Sequence, residues 1–247
     1  MKKLTFALAS TLILALSSHA TEHKAHWGYT GHEGPSNWGN LSDNYKTCGL
    51  GKNQSPINVT HSHDANLTPI KFNYSSTPNE IINNGHTVQV NIAKGSSIEL
   101  DNKTYELKQY HFHTPSENHI EGKSFPLEVH FVHAAKDNEL AVVAVLFEYG
   151  NDNQTLAKLW EKMPMEASQK HELKNIAKNL MDLIPTNKQY YRFNGSLTTP
   201  PCSEGVKWIV LGKHLKVSKA QIEKFSKAVH GTNNRPIQAL NARVIVN

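Results

Sequence analysis

Cysteine is almost absent from this chain, with only Cys48 and Cys202 among 247 residues. That count excludes a disulfide-dense scaffold and leaves no spare thiolates for a sulfur-rich metal site. Long apolar runs are also missing once the first twenty residues are set aside, so no later segment is expected to span a membrane as a helix. Charge of one sign is missing as well. Setting aside Lys2 and Lys3 leaves 24 basic against 21 acidic side chains, a net of +3, and the two signs are interspersed. No Lys/Arg stripe with interleaved aromatics occurs, so the surface reads as mixed and solvated, and nucleic acid is not expected as a partner. Low-complexity blocks, fixed-period repeats and Gly/Pro/Ser-rich linkers are lacking too, which favours a single domain.

What is present begins with a leader. Lys2 and Lys3 precede an apolar run from Leu4 to Leu16, and Ser18-His19-Ala20 places small residues three and one before a cut after Ala20. Residues 1–20 therefore read as a signal peptide, and residues 21–247 as one exported domain in the periplasm or outside the cell. No cysteine lies near the cut, which argues against a lipoprotein anchor. In an oxidising compartment Cys48 and Cys202 are expected to pair, and closing so long a loop contributes about 4 to 5 kcal/mol in the chain-entropy account.

The pattern of elements is mainly β. Ile81 to Val90 reads as strand, turn and strand around Asn83-Asn84-Gly85. Further strand-like runs are Ser97 to Leu100, Thr104 to His113, Leu127 to His133, Ala141 to Tyr149 and Val206 to Gly212. Ala141 to Phe147 is apolar enough to be buried on both faces. Helical patterns cover Gln154 to Met163, Glu172 to Leu183 and Lys219 to His230, the last with capping-box spacing at Ser218 and Gln221 and with Gly231 after its final turn. The expected fold is one domain on a large central, mostly antiparallel twisted β-sheet with peripheral helices.

The sharpest local feature is His111-Phe112-His113. On a strand alternate side chains share a face, so both imidazoles point one way and Phe112 the other, whereas on a helix the pair would diverge. Gln109 has the same parity and can orient a ring N–H. In Leu127 to His133, the residues Glu128, His130 and Val132 share one face and His133 takes the other. His130 is thus a third ligand, with Glu128 placed to fix its tautomer. The competing reading is a strand-edge charge beside a satisfied core histidine. Three imidazoles without a thiolate leave tetrahedral zinc one position short, which suits catalysis better than a closed structural site. The open position matters because zinc brings the pKa of bound water from about 15.7 to about 7.

The motifs resemble the α-carbonic anhydrases over nearly the whole exported part. They run through HWGYTG (His26 to Gly31), NQSPINV (Asn53 to Val59), NNGH (Asn83 to His86), QYHFHTPSENH (Gln109 to His119), LEVHFVH (Leu127 to His133), SLTTPPCSEGVKW (Ser196 to Trp208) and NRP (Asn234 to Pro236). This resemblance implies reversible hydration of carbon dioxide to bicarbonate and a proton by zinc-bound hydroxide. It implies that Zn2+ sits on His111, His113 and His130, and that Thr198 with Glu117 orients the hydroxide. Val132, Val142, Leu197 and Trp208 would form an apolar wall for carbon dioxide, with Thr199 at the mouth contacting bicarbonate or sulfonamide inhibitors. His86 matches the proton-shuttle position, Cys48 and Cys202 match the single disulfide of the family, and bacterial relatives suggest a homodimer. The chain departs from many animal members in a short stretch between Glu117 and Glu128 and in Asn118 preceding His119. An esterase side activity and a non-catalytic binding module on the same fold are the competing functions, and the three intact histidines argue against the second.

Overall fold

A computed structural model describes residues 25–247; the leader expected over residues 1–20 lies outside them. Among the described residues the strands are β1 (Asn58–Val59), β2 (Lys71–Asn73), β3 (Pro78–Asn83), β4 (Val88–Ile92), β5 (Ser97–Leu100), β6 (Lys103–His113), β7 (His119–Ile120), β8 (Leu127–Ala134), β9 (Leu140–Tyr149), β10 (Lys170–Glu172), β11 (Tyr190–Ser196), β12 (Glu204–Leu211) and β13 (Leu215–Val217). The α-helices are α1 (Trp38–Leu41), α2 (Thr47–Leu50), α3 (Gln154–Glu161) and α4 (Lys219–Ala228).

Eleven strands form one sheet whose spine runs β10-β3-β4-β6-β8-β9-β12-β11, while β1 and β7 pair separately. The sheet is mostly antiparallel, as expected. Parallel pairing enters where β12 and β13 lie against β9. The long strands β6, β8 and β9 occupy its middle, and every residue from Ala141 to Phe147 is buried.

Alternation divides β9 between two cores. Val143, Val145 and Phe147 join Tyr110, Phe112, Val129 and Phe131 in the larger core, which Leu156 and Trp160 of α3 and Phe225 of α4 cover. Val142, Ala144 and Leu146 face the other way, with Trp208, Val206 and Phe193. Phe112 is fully buried, which contributes about 2 to 3 kcal/mol, and on a strand that forces His111 and His113 to the opposite face.

Two of the three helical expectations hold. Asn153 caps α3 by accepting from the N–H groups of Thr155 and Leu156. At α4 both bonds of the Ser218/Gln221 capping box form. This helix ends at Ala228, short of His230, which adopts a left-handed φ of 58°.

The helix expected over Glu172 to Leu183 does not form. Lys170–Glu172 is an edge strand on β3, Asn175 and Ala177 have φ of 63° and 47°, and only Leu180–Leu183 makes a short 3-10 turn. Leu173, Leu180 and Leu183 are nonetheless buried, so the helical spacing of the apolar residues is satisfied by a bent chain. The sequence reading also missed β11, whose Arg192, Asn194 and Gly195 interrupt any apolar alternation.

Candidate metal centre

The pairing of β6 with β8 puts His111 opposite His130 and His113 opposite Glu128. Because the two β6 histidines are separated by one residue, all three rings meet on one face. Ring centroids are 5.0 Å apart for His111 and His113, 5.3 Å for His111 and His130, and 4.6 Å for His113 and His130. One nitrogen from each lies within 4.8 Å of the others.

The outward nitrogen of each ring is held by a different acceptor. Gln109 Oε1 is 2.9 Å from His111 Nδ1, the Asn233 carbonyl is 2.7 Å from His113 Nδ1, and Glu128 Oε1 is 2.8 Å from His130 Nε2. Accepting at these atoms puts the ring proton outside and leaves His111 Nε2, His113 Nε2 and His130 Nδ1 facing the centre as lone pairs. His113 Nε2 is buried without a hydrogen-bond partner, an arrangement that costs about 1 to 3 kcal/mol unless a ligand takes the lone pair. Three neutral nitrogen donors with no thiolate fit zinc in an open tetrahedral site.

Electrostatics keep the rings in the ligating form. Burial, followed by the neighbouring histidines, holds His111 well below the usual imidazole range. Burial and then His113 do the same for His130. Burial also lowers His113, opposed by the Asn233 carbonyl and the Glu128 charge. Glu128 is itself saturated: Oε2 accepts from the N–H groups of Glu117 and Asn118 at 2.7 and 2.8 Å, and Oε1 accepts from Asn118 Nδ2 at 2.7 Å. Burial pushes its carboxyl up and these donors pull it back.

Glu117 stands directly beside the centre. Its Oε2 is 3.6 Å from His113 Nε2 and 3.9 Å from His130 Nδ1, and its Oε1 accepts from the Arg235 N–H at 2.8 Å. Burial raises this carboxyl well above the usual range, while the Arg235 N–H and the Thr198 side chain draw it down. Oε2 completes no hydrogen bond of ordinary geometry, so Thr198 acts on the carboxyl from nearby without a fully formed bond. A cation on the three nitrogens would draw the carboxyl down in the same direction.

Thr198 lies in the loop between β11 and β12, and the bridge between Cys48 and Cys202 anchors that loop, with Cα atoms 5.0 Å apart. Gln54 Nε2 adds a bond to the Cys202 carbonyl at 3.0 Å. Thr199 is half-buried beside Thr198. Val142 and Trp208 are buried in one apolar cluster, with Val132 and Leu197 packed against it. The Trp208 ring stands edge-on to His130 at 4.9 Å and donates its N–H to the Ser196 carbonyl, leaving its apolar body to the site.

His86 is outside the triad and half-buried. It stacks on Trp27, with ring centroids 3.7 Å apart and planes 7° from parallel, and lies 6.5 Å from His26. Burial, and then the His26 charge, lower its pKa. His119 sits on β7 with its backbone N–H on the Ile57 carbonyl.

Sequence reasoning missed several groups. Asn233 supplies a backbone carbonyl, Arg235 a backbone N–H, and Asn118 a side-chain amide to Glu128. Trp27 holds the His86 ring, and Tyr29 has a buried, unpartnered hydroxyl whose pKa burial and then Glu117 raise. HWGYTG and NRP contain three of the five, but no spacing rule brings residues 27 or 235 to residues 86 or 117.

Comparison with known proteins gives a consistent result. Residues 33–247 match the family model for eukaryotic-type carbonic anhydrase. A carbonic anhydrase of Neisseria gonorrhoeae is 48% identical over 243 residues, covering 97% of this chain and 96% of its own. The solved α-carbonic anhydrase of Thermovibrio ammonificans in complex with the inhibitor sulfanilamide superposes with a TM-score of 0.88 at 45% identity, covering 91% of this chain and all of that one. A dioscorin solved with ascorbate matches with a TM-score of 0.82 at 34% identity, covering 90% of this chain and 97% of that one.

Proposed function

The chain belongs to the eukaryotic-type carbonic anhydrase family and catalyses reversible hydration of carbon dioxide with zinc as cofactor, and we propose that His111, His113 and His130 hold that zinc. The observation that carries the assignment is the convergence of three ring nitrogens whose opposite nitrogens are all engaged. When bound there, zinc supplies a Lewis acid that brings the pKa of coordinated water from about 15.7 to about 7, so a nucleophile exists at neutral pH.

The remaining chemistry belongs to side chains of this protein. Glu117 is fixed by the Arg235 N–H, and once the Thr198 hydroxyl closes the remaining gap the carboxylate accepts its proton in a hydrogen bond. Thr198 Oγ1 can then only accept, which turns a lone pair of the attacking oxygen toward the substrate carbon. Val132, Val142, Leu197 and Trp208 hold carbon dioxide against a wall that offers little to competing water. Thr199 meets the more polar bicarbonate at the mouth and is the contact for sulfonamides.

Hydration releases one proton for each carbon dioxide consumed, and His86 carries it from the site to buffer. Its stacked ring is half-buried and neutral near pH 7, so it can accept. Export of residues 21–247 as one catalytic domain is supported by the leader pattern and the Cys48–Cys202 bridge. No helix among the described residues is long and apolar enough to cross a membrane. Slow hydrolysis of aryl esters is a side activity of the same nucleophile.

Stopped-flow hydration tests the assignment. Stripping metal should abolish turnover, and one equivalent of zinc should restore it. His86→Ala should keep zinc and substrate affinity, lose turnover in weak buffer and recover with added imidazole. Unchanged turnover in weak buffer would remove His86 from the reaction.

A further inference from the structure

Asn233 is 1% exposed and every polar atom it has is engaged. Its backbone N–H donates to the Thr114 carbonyl at 3.0 Å, and its carbonyl accepts from His113 Nδ1 at 2.7 Å. The side-chain oxygen accepts from the Thr114 N–H at 2.8 Å. The side-chain nitrogen donates to the carbonyls of Phe112 at 2.9 Å and His86 at 3.0 Å. One amide therefore grips the backbone on both sides of His113 and, with its remaining hydrogen, the backbone of His86.

The rest of the His86 turn is held mostly from within. Asn84 Oδ1 accepts from the N–H groups of His86 and Thr87, and Asn83 Oδ1 accepts from that of Gly85. Those bonds shape the turn without fixing it to β6. Beyond the β4–β6 ladder that begins at Gln89, two side chains tie it there, the Thr87 hydroxyl on the Phe112 carbonyl and the Asn233 amide on His86 itself. The second task needs two donors and one acceptor in one plane from a short side chain, which only an asparagine supplies.

We propose that Asn233 is a positioning residue for proton transfer, its side-chain amide setting the place of His86 relative to the strand that carries His111 and His113. This rests on the reading of His86 as the proton carrier. Asn233→Ala keeps the backbone carbonyl that accepts from His113 but releases His86, so the ring should leave its seat on Trp27.

Two readouts decide it. In the metal-free chain, the carbon-bound ring protons of His86 should carry an upfield ring-current shift from the stacked Trp27, and Asn233→Ala should lose it. In the zinc-loaded enzyme the same variant should lose turnover in weak buffer by about tenfold or more, recover with imidazole, and add no further loss to His86→Ala. Asn233→Ser serves if the alanine variant does not accumulate. An unchanged His86 shift, or a loss that imidazole leaves in place and that adds to His86→Ala, would overturn the proposal. If His86→Ala itself leaves turnover intact, the proton-carrier reading has failed, and the ring shift still judges whether Asn233 places His86.

Discussion

His130 and His133 lie three residues apart on β8 and both are buried, at 1% and 0% exposure, yet the two faces of the strand use them in opposite ways. His133 has a partner for each ring nitrogen: Nε2 meets the Tyr74 hydroxyl at 2.9 Å and Nδ1 the Ala141 carbonyl at 3.3 Å. His130 has an acceptor only on Nε2, and Nδ1 faces two more rings that are one partner short in the same way. On β8 the histidine of the metal group is the one whose second nitrogen is left open, and the core histidine is the one with both nitrogens engaged. Burial alone does not distinguish them.

Removing each histidine in turn separates the two roles most strongly. His111→Ala, His113→Ala or His130→Ala should each lose most bound zinc by elemental analysis and nearly all hydration activity. His133→Gln should keep both and lose about 1 to 3 kcal/mol of stability in urea unfolding, from partners left unpaired. Loss of zinc from the His133 variant would put it in the wrong class.

Next in size is Thr198→Ala, which should retain zinc while turnover falls by about a hundredfold, the usual order for removing one group that orients transition-state charge. Equal turnover in the variant would leave Thr198 a loop residue. Smaller again is Glu128→Gln. The carboxylate no longer favours the ligating tautomer of His130, and competition with a chelator should show zinc affinity lower by about ten- to a hundredfold.

The pH dependence is a slope. Burial lowers the His133 pKa from 6.5 to about 3, so the unfolded chain takes up this proton first. Its contribution to stability is complete above pH 6.5 and is lost as pH falls from there toward 3, at up to about 1.4 kcal/mol per pH unit. Stability curves of the zinc-loaded wild type and His133→Gln should converge as the solution is acidified through this window. Parallel curves would mean that His133 titrates alike in both states.

The same contrast explains how much could be read in advance. Strand alternation alone placed His111, His113 and Gln109 on one face, Glu128 and His130 on another strand to match, and His133 away from them, because a period of two leaves no freedom once Phe112 is in the core. Thr198 and Glu117 came only from the family motifs, since their meeting depends on a loop anchored by Cys202 and on a backbone N–H from Arg235. Asn233 was out of reach for a related reason: it serves His113 through a carbonyl that every residue possesses. The Glu172 to Leu183 stretch misled because Leu173, Leu180 and Leu183 do point inward, but left-handed turns at Asn175 and Ala177 carry them there in place of a helix.

The most direct test of the central claim is a long-range proton–nitrogen NMR titration of the metal-stripped chain with zinc, following every histidine ring. At one equivalent, the resonances of His111 Nε2, His113 Nε2 and His130 Nδ1 should move together to metal-bound values while both His133 nitrogens stay in place. Coordination through His130 Nε2, or a shift at His133 in place of one of the three, would contradict the account.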